Sequence, residues 1–158
     1  MELAGEDRSV LRRLAARLEL GSPPPELAAA TRQAIADATD FDERDANRNF
    51  SYDYKAYGEV RRNLTCLINL GELPLAMELS LELMKQGSYQ VEMSDEGLMT
   101  DDIQECLMPV LRALKRCDLP SSEVLAWCDA MKKSDRVGFI CEEQLRALQN
   151  HFAALESQ

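Results

Sequence analysis

The sequence predicts an all-α protein of about seven helices arranged as stacked helical hairpins, an α-α superhelix of the repeat kind. Apolar residues recur three and four positions apart along most of the chain, as on one face of a helix. No segment shows a convincing alternation of period two, and glycine or proline separates the apolar stripes. Because 46% of the residues are hydrophobic and 29% are charged, residues 1–158 are expected to form a single helical domain with one core.

The first predicted hairpin covers about residues 8–39. Its first stripe ends at Gly21, and Ser22 followed by Pro23 is typical of an N-cap and a first-turn proline. The second stripe is rich in alanine, which favours helix and lets neighbouring helices approach closely. The two stripes consist of Val10, Leu11, Leu14 and Leu18, and of Leu27, Thr31, Ala34, Ile35 and Ala38.

Two further hairpins are predicted, over about 54–87 and about 101–133. The former turns at Gly71 and is expected to end at Gly87. In the latter, Pro109 is expected to kink or shorten the first helix, because an interior proline costs about 3 kcal/mol. The four stripes consist of Tyr57, Val60, Leu64, Leu67 and Ile68; of Leu75, Ala76, Leu79 and Leu83; of Ile103, Leu107, Val110, Leu111 and Leu114; and of Val124, Leu125, Trp127, Cys128 and Met131.

A final helix is predicted over about 140–156. Its stripe alternates by four and three through Cys141, Leu145, Leu148, Phe152 and Leu155. Since no helix is predicted after it, an exposed apolar patch here would favour a homo-dimer or larger homo-oligomer. Just before it, VGFIC at 137–141 is the best candidate for a short strand.

The turns within the hairpins resemble one another. Leu73-Pro74 and Leu119-Pro120 lie 46 residues apart, while Pro25 and Pro74 lie 49 residues apart. Spacings in the forties match two-helix repeats of the HEAT or armadillo length class. A plain helical bundle with similar turns is the alternative.

The net charge of -10 is concentrated between the predicted hairpins. Residues 40–54 carry -3 and residues 88–105 carry -6, and connections of this kind lie on one edge of a stack. Such an edge would attract a basic protein partner, whereas nucleic acid and anionic membranes require a basic surface. Solvated loops without a partner are the alternative. The candidate partner-binding residues are Asp42, Glu43, Asp45, Glu92, Asp95, Glu96, Asp101 and Asp102.

No motif indicates a catalytic, metal or cofactor site. The five cysteines are widely spaced without a C-x-x-C pair, and His151 is the only histidine, so buried thiols are expected. A calcium loop starting at Asp40 departs from the EF-hand pattern at three positions. No run approaches the roughly 18 apolar residues of a membrane span, and the N-terminus lacks a signal-peptide layout, so a cytoplasmic location is expected.

These features predict a protein–protein interaction or scaffold module rather than an enzyme. One alternative is a small helical enzyme or ligand-binding domain with a pocket between hairpins, which would show a deep polar cavity. The other is a structural subunit of a homo-oligomer.

Residues 55–87 partly resemble a tetratricopeptide-type hairpin through Leu64 and Leu67, Gly71 before the turn and Ala76 after it. The stretch 52–134 also resembles the helical region that accompanies SWIM zinc fingers in some bacterial proteins, with helix, glycine-containing turn, helix and acidic loop in that order. The C-x-C and C-x-H pairs of that zinc finger are absent from this sequence. The resemblance therefore implies a helical interaction region without the metal function.

Overall fold

The computed structural model describes residues 24–41, 51–94 and 97–156. These ranges contain six helices and no strand, which confirms the all-α prediction. Six of the about seven predicted helices fall within these ranges, and the predicted helix through residues 10–18 lies outside the described residues. The helices are α1 (Pro24–Ala38), α2 (Tyr54–Asn69), α3 (Leu73–Met93), α4 (Thr100–Lys115), α5 (Ser121–Ser134) and α6 (Glu142–Glu156).

Three helices, α1, α3 and α5, run side by side in the same direction, with α3 in the middle. The middle of α1 and of α5 contacts the first half of α3, and the ends of both helices contact the end of α3, as parallel packing requires. The hydrogen bonds that show this join Arg32 to Glu78, Gln90 to Ala38, Trp127 to Met77 and Ser88 to Ser134.

The other layer contains α2 and α4, which are also parallel, and α6 packs against α4 and α5. The Cys106 thiol of α4 donates to the Tyr57 carbonyl of α2, near the start of both helices. In contrast, α2 and α3 are antiparallel, because the Tyr57 hydroxyl meets Gln90 near the end of α3. The molecule is therefore a set of stacked antiparallel pairs.

The sequence separation across this stack is nearly constant. Side-chain hydrogen bonds between neighbouring parallel helices and their flanking loops join residues 44 to 52 positions apart. The side chains between the layers form one continuous apolar core, because each helix turns its stripe inward. Fully buried members include Ile35, Leu64, Leu79, Leu107, Leu114 and Met131.

The turn between α2 and α3 is a Schellman motif centred on Gly71. Gly71 has φ +81°, and its amide donates to the Ile68 carbonyl at 3.0 Å. The Glu72 amide donates to the Leu67 carbonyl at 2.8 Å, so the last carbonyls of α2 are satisfied. Pro74 then falls in the first turn of α3, where a missing amide hydrogen costs nothing.

Gly87 does not end the fourth predicted helix, because α3 continues to Met93. The glycine is buried against α4, and a Cβ placed on it would lie 2.8 Å from Cδ1 of Ile103. Its role is to let α4 approach α3 closely. The acidic segment 88–105 is consequently helical at both ends, and only residues 94–99 connect the two helices.

Two other local expectations differ from the structure. Of the kink or shortening expected at Pro109, the shortening does not occur, because α4 continues through Pro109 to Lys115. Residues 137–141 form a loop rather than a strand, since their amides bond to the Asp135 carboxylate instead of to another chain segment.

The last helix turns most of its apolar stripe into the core. Leu145, Leu148 and Phe152 are at most 2% exposed, while Leu155 is 44% exposed. Only Leu155, of the four stripe residues within α6, could therefore contribute to an apolar patch between two copies of the chain.

Candidate functional site

All three connections between hairpins lie at one end of the stack, where α1, α3 and α5 end and α2, α4 and α6 begin. The Tyr52 hydroxyl joins the first connection to the second, with 2.7 Å to Oδ2 of Asp102 and 3.5 Å to the Leu98 carbonyl oxygen. In the third connection, Nε of Arg136 lies 2.6 Å from Oε1 of Glu92 at the end of α3. We call the described surface at this end, residues 51–54, 97–102 and 135–143, the connection edge.

The inner side of this end is held by the amide of Gln90, which is fully buried. Its Nε2 donates to the carbonyl oxygens of Ala38 at 3.0 Å and Asp40 at 3.2 Å, both at the end of α1. Its Oε1 accepts the hydroxyl of Tyr57 from α2. One side chain of α3 thus fixes the positions of both neighbouring helices, because each of its polar atoms has a partner.

Ser88 forms the corresponding contact to α5. Its hydroxyl donates to the Ser134 carbonyl at 3.1 Å and accepts the Arg136 amide at 3.0 Å. The end of α5, which would otherwise leave backbone groups without partners, is therefore bonded to α3. The hydrogen bonds of Gln90 and Ser88 therefore attach the connection edge to the packed helices on both sides of α3.

Tyr52 links the inner network to the surface. Its ring lies edge-on to Tyr57, with 5.9 Å between centroids. Burial, and then the hydrogen bond to Asp102, raises the pKa of Tyr52 to about 12. The hydroxyl therefore stays protonated at neutral pH and donates to the Asp102 carboxylate.

The first connection ends with an exposed aromatic side chain. Asp53 caps α2, since its carboxylate accepts the Ala56 amide at 3.0 Å. The next residue, Tyr54, is 64% exposed although the cap fixes its backbone. This connection therefore presents a carboxylate and an aromatic ring side by side.

The second connection combines an exposed acid with an exposed aliphatic side chain. The Ser94 hydroxyl accepts the Gly97 amide at 2.9 Å, and Met99 is buried, so both ends of the described loop are anchored. Between them Leu98 is 53% exposed. Asp101 follows as an exposed acid in the first turn of α4, where the helix dipole favours a negative charge.

The third connection is organised around Asp135. Its carboxylate accepts the backbone amides of Val137, Gly138 and Ile140 at 2.8 to 3.0 Å. Ile140 is fully buried, yet its neighbour Phe139 is 53% exposed. The loop therefore holds a phenyl ring in solvent on a backbone that has little freedom to move.

The candidate residues from the sequence divide into three groups. Glu92 bonds to Arg136 and Asp102 accepts from Tyr52, so both have roles within the fold. Asp101 is exposed at the connection edge. Asp42, Glu43, Asp45, Asp95 and Glu96 lie outside the described residues.

Sequence reasoning missed Leu98, Phe139 and the third connection, because Leu98 and Phe139 resemble ordinary apolar residues. The signal that could have found them is position: each lies between two apolar stripes, where burial by its own helix is not expected.

The described residues contain no group of three or more His, Cys, Asp or Glu side chains placed to hold a metal ion. None of the five cysteines, all within the described ranges, forms a disulfide. Burial raises the pKa of Cys106 and of Cys141 to about 12 and that of Cys128 to about 11. These three thiols therefore stay protonated at neutral pH and are poor nucleophiles.

In the part of the chain that the structure describes, no helix combines the length and the apolar character needed to cross a membrane. Comparison of the chain with protein-family models, curated proteins and solved structures gives no match.

Proposed function

We propose that this protein is an interaction module of repeated helical hairpins that binds a basic protein segment through the connection edge. The observation that carries the proposal is the pairing of exposed apolar and acidic residues on two joined connections. Tyr54 lies beside Asp53, and Leu98 lies three residues before Asp101, with Tyr52 bonded across the two loops.

This pairing suits a partner with both positive and apolar side chains. An exposed aromatic or leucine side chain provides apolar area for burial, at about 25 cal/mol for each Å² removed from water. The neighbouring carboxylates attract lysine or arginine and disfavour acidic partners. Asp53 caps the start of α2 and Ser94 accepts the Gly97 amide, so these described parts of the two connections are already bonded before a partner binds.

The repeated character of the fold is part of the same proposal. Parallel neighbours joined at separations of 44 to 52 residues support a structural unit of the HEAT or tetratricopeptide class. Modules of this kind present equivalent positions of successive units on one surface. The absence of disulfides among the five cysteines is compatible with a reducing, cytoplasmic location.

The proposal is tested by selecting binders from a library of random peptides of about 12 residues, which reach about 40 Å when extended. We expect the immobilised chain to enrich peptides that contain lysine or arginine together with leucine or aromatic residues. Binding of a fluorescein-labelled selected peptide, followed by anisotropy, should weaken as salt is added. No enrichment, or enrichment without excess positive charge, would contradict the proposal.

Asp101→Lys and Glu123→Lys form a matched pair for this experiment. Both acids are exposed in the first turn of a helix, but Glu123 starts α5 at the opposite end of the stack. Each change should cost a similar few tenths of a kcal/mol through the helix dipole. Only Asp101→Lys should weaken peptide binding, by about tenfold, since it places a like charge against the peptide. Equal binding by the two variants would refute a role for the edge.

A further inference from the structure

We infer that the bound segment crosses all three connections of the stack and that Phe139 is its third apolar anchor. This inference rests on the proposed function and deepens it, because it specifies the length of the partner segment and the order of its contacts. It adds the connection of residues 135–141, which lies outside both acidic segments of the sequence.

The Phe139 loop is built to keep its ring exposed. Asp135 accepts three amides of the loop, and the Arg136 amide is bonded to Ser88 of α3. Ile140 and Cys141, directly after Phe139, are both buried. With both sides of the loop bonded to the fold, the backbone holds Phe139 at the surface, where its ring is 53% exposed. Rigid, exposed aromatic residues are typical anchors of protein interfaces.

The charge of this connection matches that of the other two. Residues 135–143 contain three acids, Asp135, Glu142 and Glu143, and one base, for a net charge of -2. Of the other described parts of the connection edge, residues 51–54 carry -1 and residues 97–102 carry -2. Each of the three described parts is therefore net negative, and a basic segment that follows them meets the same sign throughout.

The single base of the third connection does not oppose such a segment. The Arg136 guanidinium pairs with Glu92 at 2.6 Å and lies over the ring of Tyr89, 5.0 Å from its centroid. Its charge is therefore compensated within the protein. At the start of α6, Glu142 and Glu143 are both exposed; Glu142 forms an ion pair with Arg146 at 3.2 Å, and Glu143 adds an exposed acid to this connection.

The stacking order sets the length of the partner. Since α3 lies between α1 and α5, the second connection lies between the first and the third. Neighbouring packed helices are about 10 Å apart, so Tyr54 and Phe139 are about 20 Å apart along the edge. An extended chain covers that distance in about six residues. A segment that contacts both anchors must therefore have at least about six residues between its ends.

The test uses the labelled peptide selected on the wild-type chain, with three exposed positions changed to serine. Phe139→Ser and Tyr54→Ser should each weaken binding at least about tenfold, as loss of a buried aromatic anchor does. Leu155→Ser, 44% exposed on the far half of α6, is the control and should leave binding unchanged. For a truncated peptide of about four residues, which reaches only about 13 Å, at most one of the two anchor variants should weaken binding.

The outcomes separate the two proposals. Unchanged binding of the full-length peptide to Phe139→Ser, together with weaker binding to Asp101→Lys, would overturn the three-connection path and leave the proposed function standing. Unchanged binding to both variants would overturn the proposed function itself. Circular dichroism should show the same helix content for all serine variants, because the altered side chains are exposed in the folded chain.

Discussion

The two ends of the helical stack are made of the same helices but have opposite characters. At the turn end, residues 70–72 and 116–120 join paired helices, and the amides of Gly71 and Glu72 bond back to α2. At the connection edge, Tyr54, Leu98 and Phe139 are more than half exposed. The turn end is thus explained by chain reversal alone, whereas the connection edge has features that folding does not require.

The difference shows where function is expected in a stack of this kind. Apolar side chains that stay exposed on loops whose backbone is hydrogen-bonded to the fold lower the solubility of a protein and do not contribute to its core. Three of them occur on three successive connections, and each of these connections also carries an exposed or bonded carboxylate. A mutation at the turn end should therefore change stability only, and one at the outer side of the connection edge should change binding. A mutation at the inner side of that edge should lower the stability strongly and should also disturb the alignment of the neighbouring helices.

The largest effect is expected for Gln90→Leu, which removes the buried amide behind the connection edge. The substitution leaves the carbonyl of Ala38 and the hydroxyl of Tyr57 without their buried partner, at a cost of about 2–4 kcal/mol. Urea unfolding followed by circular dichroism measures the change in the free energy of unfolding. Gln33→Leu is the control, because Gln33 is exposed and bonds only one turn along α1, to Asp37. A loss below about 0.5 kcal/mol, as in the control, would mean that Gln90 does not hold the stack.

A smaller effect is expected for alanine at two glycines, one at each end. Gly71 has φ +81° and Gly138 has φ +84°, and a Cβ added to either would meet no other part of the protein within 4 Å. Each substitution should therefore cost about 1 kcal/mol of backbone strain and nothing from steric overlap. Because Gly138 precedes Phe139, only Gly138→Ala should also weaken peptide binding. Loss of binding in Gly71→Ala as well would remove the contrast between the two ends.

The pH dependence of stability provides the third comparison, through Tyr52→Phe. The raised pKa of Tyr52, about 12 against an ordinary 10.0, means that the folded chain holds the phenol proton more tightly than the unfolded chain. This stabilisation is complete below pH 10 and is lost as the pH rises from 10 towards 12. Tyr52→Phe lacks the titrating group, so its unfolding free energy should fall less steeply over that window.

The buried thiols act in the same direction in both proteins, since their pKa values are raised from 9.0. The informative quantity is therefore the difference between wild type and variant, measured by urea unfolding from about pH 8 to about pH 11. At the lower pH the variant should be less stable by about 1 kcal/mol, the value of one hydrogen bond. Parallel pH profiles would show that burial and the contact with Asp102 do not raise the pKa of Tyr52 in the folded chain.

Much of the fold could be predicted from periodicity, because a stripe that repeats every three to four residues must face a core. The six stripes within the described residues all correspond to helices, and Gly71 marks a turn as its left-handed backbone requires. The helix end predicted at Gly87 is wrong, since a glycine at a helix end and one at a close helix contact look alike in sequence. Only the packing of Ile103 against it distinguishes the two.

Less of the candidate site than of the fold could be predicted from the sequence. Counting acidic residues along the sequence locates two of the connections, but whether an apolar side chain there is exposed depends on tertiary packing. Leu145 and Leu155 belong to one stripe, yet the former is buried and the latter is exposed. In the same way, nothing local distinguishes Phe139 from the buried Ile140 beside it. The contacts across the stack, at separations of 44 to 52 residues, bring the three connections to one edge, and no short stretch of sequence contains that information.

The most direct test of the account is the position of the selected peptide on the folded chain. Titration of that peptide into ¹⁵N-labelled protein, followed by amide chemical shifts, reports which end it contacts. We expect shifts along the connection edge, at residues 51–54, 97–102 and 135–143, and unchanged signals at the turn end. Shifts centred on residues 70–72 and 116–120 would contradict it.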